Sequence, residues 1–332
     1  MLAQFKALVV DKVNEDTNVS VKDVEKEDLS TGDVLVKVHY SSVNYKDGLA
    51  THPKGKIVKE YPHVPGIDLA GEVVESDSPE WKEGDKVIVT SYDLGVSHSG
   101  GFSEYARVKS EWMVPLPENL TLKEAMVFGT AGFTAALSVH RLEQAGITPE
   151  NGPILVTGAT GGVGSMAVSI LAKKGYDVTA STGKESEHGY LKELGASSII
   201  SRDEAAPEDF KPLGKQKWAG AVDPVGGSTL AAVLSNLKYG GAVAVSGLTG
   251  GTKVPTSVFP FILRGANVLG IDSVYCPMDV RTEVWSKIAS EYKPSQQLEA
   301  MTNEVTINEL PDVLNTILKG QVRGRTIVSF ND

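Results

Sequence analysis

Three glycines recur at three-residue spacing in a segment that reads ILVTGATGGVGS, from residue 154 to residue 165. They follow one short apolar run and extend into the start of another, VGSMAVSILA. Glycines in a strand-to-helix turn let backbone N–H groups approach a pyrophosphate, and the start of the helix favours the anion. We therefore expect four residues of this turn to contact the phosphates of a dinucleotide: Thr160, Gly161, Gly162 and Val163. The alternative is an ordinary turn that binds no ligand.

The end of the next apolar run, about 20 residues further on, indicates which dinucleotide binds. An NAD-preferring fold places Asp or Glu there against the ribose 2′-hydroxyl, whereas this sequence has Ser181, Thr182, Gly183 and Lys184. Two hydroxyls and an ammonium group remove the repulsion that a 2′-phosphate would meet and supply donors for it. The segment therefore predicts NADPH. Arg202 is a further candidate for the phosphate or the adenine. In the alternative, Lys184 is solvated and Glu185 faces the ribose.

These residues require a sheet that presents strand ends along one edge. Six apolar runs separated by helical segments satisfy this requirement, at residues 154–158, 177–181, 196–200, 219–225, 242–248 and 266–274. Strands that are apolar throughout are typical of a parallel sheet covered by helices on both faces. We therefore predict a doubly wound α/β domain, and its complete βαβ context favours nucleotide binding at the glycine-rich turn.

The N-terminal part of the chain has a different pattern. Short β-like runs broken by turn clusters occur at residues 7–10, 34–40, 69–75, 86–90 and 102–108. This spacing is typical of a β-barrel-like domain. Helical spacing of apolar residues begins near Thr121, and the C-terminal part has helix candidates at 280–292 and 308–319 before a final strand, GRTIVSF. The sequence therefore predicts two domains.

Composition narrows the class of protein and its partners. The chain has 332 residues, with 32 Lys and Arg against 42 Asp and Glu. This acidic balance argues against nucleic acid or an anionic membrane as a partner. Cys276 is the sole cysteine, which excludes an intramolecular disulfide and fits a reducing compartment. The sequence has neither a secretory signal pattern nor a run of roughly 20 apolar residues, so we expect a cytoplasmic protein.

Several motifs resemble those of the medium-chain dehydrogenase/reductase superfamily. They are SSVNYKD at 41–47, VPGIDLAGEVVES at 64–76, GTAGFTAALSV at 129–139, the glycine-rich turn, and GRTIV at 324–328. The resemblance implies a GroES-like catalytic domain (residues 1–124 and 275–332) and a Rossmann NADPH-binding domain (residues 125–274). Within the superfamily, the chain is most similar to the bacterial zinc-free quinone-oxidoreductase branch that includes acryloyl-CoA reductases.

The same resemblance shows which zinc ligands are missing. Zinc-dependent relatives carry a Cys near the position of Asn44 and a His-Glu pair near Ile67 and Asp68, and this sequence has none of the three. A catalytic zinc needs three such protein ligands. We therefore expect no metal and a zinc-independent reaction. Asp47 and Asp68 are expected to brace the loop around Asn44.

A zinc-independent member would transfer hydride from NADPH to an acceptor that is already activated. An enoyl thioester such as acryloyl-CoA is the first choice, and a quinone is the alternative within enzymes. A non-catalytic NADPH-binding sensor or structural protein is the alternative outside them. Basic residues are candidates for the phosphates of CoA: Lys54, Lys56, Lys59, Arg323 and Arg325.

The resemblance also assigns residues near the nicotinamide. Tyr45 is the catalytic candidate, because its phenol could hydrogen-bond the cofactor or deliver a proton; the alternative is a packed wall residue. Leu248 and Ser273 are expected to approach the nicotinamide, and Ile262 to make an apolar contact. Members of the superfamily commonly form homodimers through the strand that corresponds to residues 266–274. Tyr92 lies in a loop rich in Ser and Gly, and the sequence assigns it no role.

Overall fold

The computed structural model describes residues 4–331. The strands are, in chain order, β1 (Phe5–Val13), β2 (Asp16–Val24), β3 (Val34–Val43), β4 (Asp68–Ser76), β5 (Lys86–Thr90), β6 (Tyr105–Val108), β7 (Met113–Pro115), β8 (Ile154–Val156), β9 (Val178–Ser181), β10 (Ser198–Ile200), β11 (Trp218–Asp223), β12 (Leu237–Val245), β13 (Asn267–Gly270), β14 (Thr302–Thr306) and β15 (Arg325–Ser329). The α-helices are α1 (Tyr45–Thr51), α2 (Leu122–Gln144), α3 (Gly162–Lys173), α4 (His188–Glu193), α5 (Arg202–Ala205), α6 (Gly227–Ser235), α7 (Phe259–Arg264), α8 (Met278–Ile288) and α9 (Leu310–Ile317).

The chain forms two compact units. Unit 1 contains the described residues up to Thr130, Val274–Thr282, and the described residues from Thr302 onward. Unit 2 contains Ala131–Ser273 and Glu283–Met301. These boundaries differ from the expected ones mainly at two places: residues 125–130 belong to unit 1, and Glu283–Met301 belongs to unit 2.

Polar contacts explain both differences. The backbone N–H of Thr130 donates to the Asp68 carboxylate, 2.8 Å away, which ties the end of residues 125–130 to unit 1. The hydroxyl of Tyr292 donates to Glu143 Oε2 over 2.5 Å, which ties Glu283–Met301 to the end of α2. Neither contact is visible in the sequence motifs whose resemblance implied the expected boundaries.

Unit 1 is built on a seven-stranded sheet and a hairpin. The sheet has the order β14-β15-β3-β4-β5-β7, with β6 also paired to β3, and β1 and β2 form the antiparallel hairpin. Strands β3, β4 and β5 are antiparallel and supply valines and leucines to the core, among them Val36, Leu69 and Val89. The predicted final strand is β15, which pairs with β3.

Unit 2 contains the predicted parallel sheet. Its six strands have the order β10-β9-β8-β11-β12-β13, and every pairing between them is parallel. The central strands β8 and β11 are buried along their whole length, as strands covered on both faces must be. The expected α/β fold is therefore confirmed. The edge strand β13 is shorter than the predicted run of 266–274, because its pairing with β12 ends at Gly270.

Candidate active site

The glycine-rich turn joins β8 to α3. Gly158 has φ of +54°, in the left-handed region that favours glycine. A Cβ on Gly164 would lie 2.3 Å from the carbonyl oxygen of Gly158 and 2.7 Å from Cα of Ala159. The first turn of α3 therefore lies directly against the turn that precedes it, and only a residue without a side chain fits there.

The start of α3 offers backbone donors. Gly161 is the N-cap residue and provides no side-chain hydrogen bond to the helix. The first N–H groups of an α-helix have no partner within the helix, and they lie at the positive end of its dipole. Gly162 and Val163 are the first two residues of this twelve-residue helix. The start of α3 is therefore suited to an anion, and the contacts of Thr160, Gly161, Gly162 and Val163 with a pyrophosphate remain predictions.

The predicted residues for the 2′-phosphate lie together at the ends of β9 and β10. The backbone N–H of Lys184 donates to Oγ1 of Thr182 over 3.1 Å, and the N–H of Thr182 donates to the carbonyl of Ile200. A Cβ on Gly183 would lie 3.0 Å from Nε of Arg202 and 3.2 Å from its Cζ. The guanidinium of Arg202 thus packs against the Thr182–Lys184 segment.

Leu248 lies at the same edge of the sheet. The loop after β12 packs on the loop after β11, because a Cβ on Gly226 would lie 3.3 Å from Cα of Leu248. The loop after β11 in turn contacts the glycine-rich turn, where a Cβ on Gly158 would lie 3.2 Å from Val225 Cγ2. Leu248 is 64% exposed there, which leaves its side chain accessible to a ligand.

Ile262 and Ser273 have contrasting surroundings. Ile262 is 69% exposed on the short helix α7. Ser273 is buried, and its Oγ accepts a hydrogen bond of 2.8 Å from Oγ1 of Thr134. The predicted contacts of both residues with the nicotinamide remain predictions.

Asp223 is a residue of this edge that the sequence analysis missed. It is fully buried at the end of β11 and accepts hydrogen bonds from Thr157 Oγ1 (2.5 Å) and from the N–H groups of Val225 and Gly226. Burial raises the pKa of Asp223, and these three hydrogen bonds oppose the increase. Asp223 therefore fixes the loop that covers the glycine-rich turn. In the sequence, the position of this carboxylate at the end of an apolar strand could have indicated its role.

In unit 1, Asp68 is the centre of a buried polar network. Its Oδ2 accepts hydrogen bonds from Ser42 Oγ (2.5 Å), Asn44 Nδ2 (2.8 Å) and the N–H of Thr130 (2.8 Å). Its Oδ1 accepts from Oγ1 of Thr130 over 2.5 Å. The helix α2 is interrupted one residue earlier, at Gly129, which frees the Thr130 N–H to bond to Asp68.

Arg325 supplies the positive charge of this network. Its guanidinium donates to Ser42 Oγ (2.8 Å), Asn44 Oδ1 (3.3 Å) and the backbone carbonyls of Val43 and Val127. Only 2% of Arg325 is exposed. The expectation that Arg325 meets a phosphate of CoA is therefore wrong, because its donors are already used inside unit 1. The sequence gives no sign of this pairing.

Asp47 connects the network to Tyr45. Its carboxylate accepts hydrogen bonds from the backbone N–H groups of Asn44 (2.8 Å) and Ile67 (2.9 Å). Burial, followed by the charge of Asp68, raises the pKa of Asp47 to about 7. Asn44 is the N-cap of α1, and Tyr45 is the first residue of that helix, 48% exposed. Asp47 and Asp68 thus brace the residue that precedes Tyr45, as expected.

The network does not offer a zinc site. Asp68 already accepts four hydrogen bonds, and the neighbouring Arg325 guanidinium would repel a divalent cation. Within residues 4–331, no group of three or more His, Cys, Asp or Glu side chains could hold a metal ion. The residues present therefore do not fit the metal of zinc-dependent relatives.

Two family models match the chain. Residues 30–118 match the alcohol dehydrogenase GroES-like domain, and residues 162–290 match the zinc-binding dehydrogenase domain. The second match begins at Gly162, inside the glycine-rich turn, while the first includes Asn44 and Asp68. The two matches lie in the expected order along the chain.

Individual relatives are similar over nearly the whole chain. The putative quinone oxidoreductase YhfP of Bacillus subtilis is 59% identical over 99% of this chain and 100% of its own. Its crystal structure with NAD bound has a TM-score of 0.97. The acrylyl-CoA reductase AcuI of Ruegeria pomeroyi is 51% identical over 98% of this chain and 99% of its own. The yhdH oxidoreductase of Salmonella enterica, solved in complex with NADP, is 48% identical over 98% of this chain and 100% of its own, with a TM-score of 0.96.

Proposed function

The chain belongs to the zinc-free quinone-oxidoreductase branch of the medium-chain dehydrogenase/reductase superfamily, and we propose that it reduces the activated C=C bond of an enoyl thioester with NADPH. The observation that carries this proposal is the Asp68–Arg325 network, which fills the place of the zinc ligands. Without ligands for a Lewis acid, the site suits acceptors that are already activated. The 51% identity with an acrylyl-CoA reductase supports a small enoyl thioester as the acceptor.

NADPH is the cofactor that the residues of unit 2 fit. The start of α3 provides backbone donors for the pyrophosphate, and Thr182, Lys184 and Arg202 provide a hydroxyl and two cations for the 2′-phosphate. Lys184→Glu is expected to weaken NADPH binding far more than NADH binding. Equal losses for the two nucleotides would show that Lys184 does not contact the 2′-phosphate.

The reaction adds one hydride and one proton across the C=C bond. NADPH, when held by these residues of unit 2, would supply the hydride for the β carbon of the thioester, and NADP⁺ would remain. The proton goes to the α carbon. We propose that Tyr45 borders the nicotinamide and either orients it or delivers this proton, because its phenol is accessible and it begins the helix that Asn44 caps.

Exposed cations are proposed to receive the phosphates of CoA. Lys54, Lys56 and Lys59 follow α1, and Arg323 follows α9; all four are exposed. Helix α1 packs against the end of α9, where a Cβ on Gly48 would lie 2.8 Å from Ile317 Cγ2. This contact supports a shared basic surface in unit 1. Reversing the charge of Lys54 and Lys56 together should raise the KM for acryloyl-CoA and leave the KM for a simple quinone unchanged.

The deciding experiment is to follow NADPH oxidation by the metal-chelated protein. Acryloyl-CoA and a simple quinone serve as parallel acceptors, with NADH as the control nucleotide. Fast turnover of acryloyl-CoA with NADPH supports the proposal. Turnover with the quinone alone would assign quinone reduction instead, a function that the 59% identity with a putative quinone oxidoreductase favours. Tight NADPH binding without turnover of either acceptor would indicate a non-catalytic protein.

We also propose a homodimer formed through β13. Among the strands of residues 4–331, β12 alone pairs with this edge strand, and Val268 within it is 47% exposed. The adjacent helix α7 exposes Phe259, Ile262 and Leu263. An exposed apolar edge strand is a template for pairing with another copy. Light scattering should give the mass of a dimer, and Val268→Lys should shift it toward the monomer. A monomeric wild type would contradict this proposal.

The proposed location is the cytoplasm. Cys276 is a buried thiol that forms no disulfide, which fits a reducing compartment. Among the described residues, no helix is long and apolar enough to cross a membrane. Cell fractionation would test the location, and recovery of the protein outside the cytoplasmic fraction would contradict it.

A further inference from the structure

Two consecutive residues after β5 have an unusual backbone conformation. Ser91 has φ of +66° and Tyr92 has φ of +52°, and neither is glycine. The left-handed region costs free energy for residues with a side chain, so it persists only where the surroundings impose it. Such residues cluster at active sites and ligand contacts. Other residues must therefore hold Ser91 and Tyr92 in this conformation, which suggests a ligand contact at this position.

Ser91 is held by the Asp68 network. Its backbone N–H donates to the carbonyl of Ile67 over 2.7 Å. Its Oγ lies 2.9 Å from Oγ1 of Thr130. Because the Thr130 hydroxyl donates its own proton to Asp68, the Ser91 hydroxyl must be the donor in the contact with Thr130. Ser91 is thus tied through one hydroxyl to the carboxylate that also holds Asn44.

The ring of Tyr92 is fixed by three neighbours. It stacks on Trp112 with the ring centroids 5.8 Å apart and the planes at 8°, and it meets the ring of Tyr275 edge-on with the centroids 6.5 Å apart. Cζ of Arg281 lies 4.5 Å from the Tyr92 ring centroid. The Arg281 guanidinium is itself anchored, because it donates to the backbone and side-chain oxygens of Thr90 and to the carbonyl of Val274. Tyr92 therefore has little freedom to change rotamer.

The hydroxyl of Tyr92 has no comparable role in the fold. Tyr92 is half-buried, and none of the residues 4–331 forms a hydrogen bond with its hydroxyl. Because the ring is fixed, its hydroxyl is a preorganised group for binding a ligand. A Phe at this position would make the same ring contacts.

We propose that Tyr92 is a second residue of the acceptor site, whose hydroxyl donates a hydrogen bond to the carbonyl oxygen of the acceptor. This inference rests on the proposed function and deepens it. Asp68 organises both tyrosines: Asn44, which precedes Tyr45, donates to Oδ2, while Thr130, which holds Ser91, donates to Oδ1. The carbonyl oxygen of an enoyl thioester or quinone gains negative charge as the hydride arrives, so the hydrogen bond strengthens toward the transition state.

Tyr92→Phe tests the proposal because it removes the hydroxyl and keeps the ring stack. We expect kcat with acryloyl-CoA to fall about tenfold or more, with the KM for NADPH and the melting temperature unchanged. The matched control is Tyr105→Phe, which alters a half-buried tyrosine of unit 1 whose ring lies against Phe5; it should retain full activity. Values of kcat and acceptor KM within about twofold of wild type for Tyr92→Phe would overturn the proposal.

Ser91→Ala provides a second, independent readout. If Ser91 acts by holding Tyr92, Ser91→Ala lowers kcat in the wild-type background and adds little to Tyr92→Phe. Full additivity would contradict a role of Ser91 through Tyr92. A wild-type protein that turns over neither acceptor overturns the proposed function together with this inference. An active wild type with an equally active Tyr92→Phe variant overturns this inference alone.

Discussion

Arg202 packs against Gly183 so closely that a Cβ on the glycine would lie 3.0 Å from the arginine Nε. The contact brings a guanidinium from the start of α5 to the segment that ends β9. A guanidinium is suited to bidentate recognition of a phosphate. The prediction of Arg202 from the sequence rested on its place after the third parallel strand, and the contact gives that prediction a geometric basis.

Arg202→Gln should weaken NADPH binding about 10- to 100-fold, because a charge-assisted hydrogen bond is lost. Binding of NADH should change less than about twofold, since NADH has no 2′-phosphate. Nucleotide fluorescence titration measures both constants. Lys192→Gln removes an exposed cation from the neighbouring helix α4 and serves as the control. Equal losses for NADPH and NADH would assign Arg202 to the adenine instead.

Gly129→Ala should destabilise unit 1 severely. A Cβ there would lie 2.3 Å from Ser42 Oγ, 2.6 Å from Asp68 Oδ2 and 2.7 Å from Arg325 Nη2, on a backbone with φ of +50°. Strain and crowding together should lower the free energy of unfolding by about 3 kcal/mol or more. Urea denaturation measures the change.

Gly146→Ala is the matched control for backbone strain. Gly146 also has a positive φ, +83°, but a Cβ there would have no atom within 4 Å. The free energy of unfolding of Gly146→Ala should therefore fall by only about 1 kcal/mol. An equal decrease in the free energy of unfolding for Gly129→Ala and Gly146→Ala would show that the Asp68 network tolerates the extra methyl group.

Asp47 should make stability depend on pH. Its native pKa is raised from 3.8 to about 7, so between these values the native state holds a proton that the unfolded state has released. The free energy of unfolding should therefore fall as pH rises through this range, by at most about 4 kcal/mol from this group. Urea denaturation at about pH 5 and about pH 8 measures the slope.

Asp47→Asn isolates that contribution. The amide cannot ionise, so the decrease in stability between the two pH values should become smaller, while the variant is less stable at low pH because one backbone N–H loses its acceptor. The difference between wild type and variant cancels the effects of other titrating groups. Parallel pH profiles would refute the raised pKa of Asp47.

His140 should change the free energy of unfolding with pH in the opposite direction to Asp47. It is buried, with Nδ1 3.1 Å from Nζ of Lys287. Burial and then the Lys287 charge lower the pKa of His140, against the opposing charges of Glu283 and Glu143. Below about pH 6.5 the unfolded chain binds a proton that native His140 does not. The free energy of unfolding should therefore fall as pH drops below that value, and His140→Gln should reduce the decrease. An unchanged acid slope in His140→Gln would contradict the lowered pKa.

Local patterns were enough to predict the parallel sheet of unit 2. Each parallel strand is a short apolar run, and the close approach at Gly164 follows from the spacing of the glycines in the turn. The strand β13 ended early because pairing with β12, which the sequence does not encode locally, decides where it stops. The strand β2 was missed, since its residues DTNVSVKDV are mostly polar and partly exposed.

Long-range pairings explain what the sequence could not predict in unit 1. From the sequence alone, Arg325 is expected to be an exposed cation. The pairing of β15 with β3 instead brings its guanidinium to Ser42 and Asn44. Ser91 and Tyr92 carry no sign of a left-handed backbone, because neither is a glycine. Both features depend on contacts between residues far apart in the chain.

Because β15 pairs with β3 in the seven-stranded sheet, the Asp68 network joins residues that are synthesised far apart in time. Ser42 leaves the ribosome 283 residues ahead of Arg325, the guanidinium that it finally contacts. Until β15 emerges, the nascent unit 1 contains the Asp47 and Asp68 carboxylates without their counter-charge. The strands of the sheet of unit 2 all lie within Ala131–Ser273, so every one of them is synthesised before β15 of unit 1.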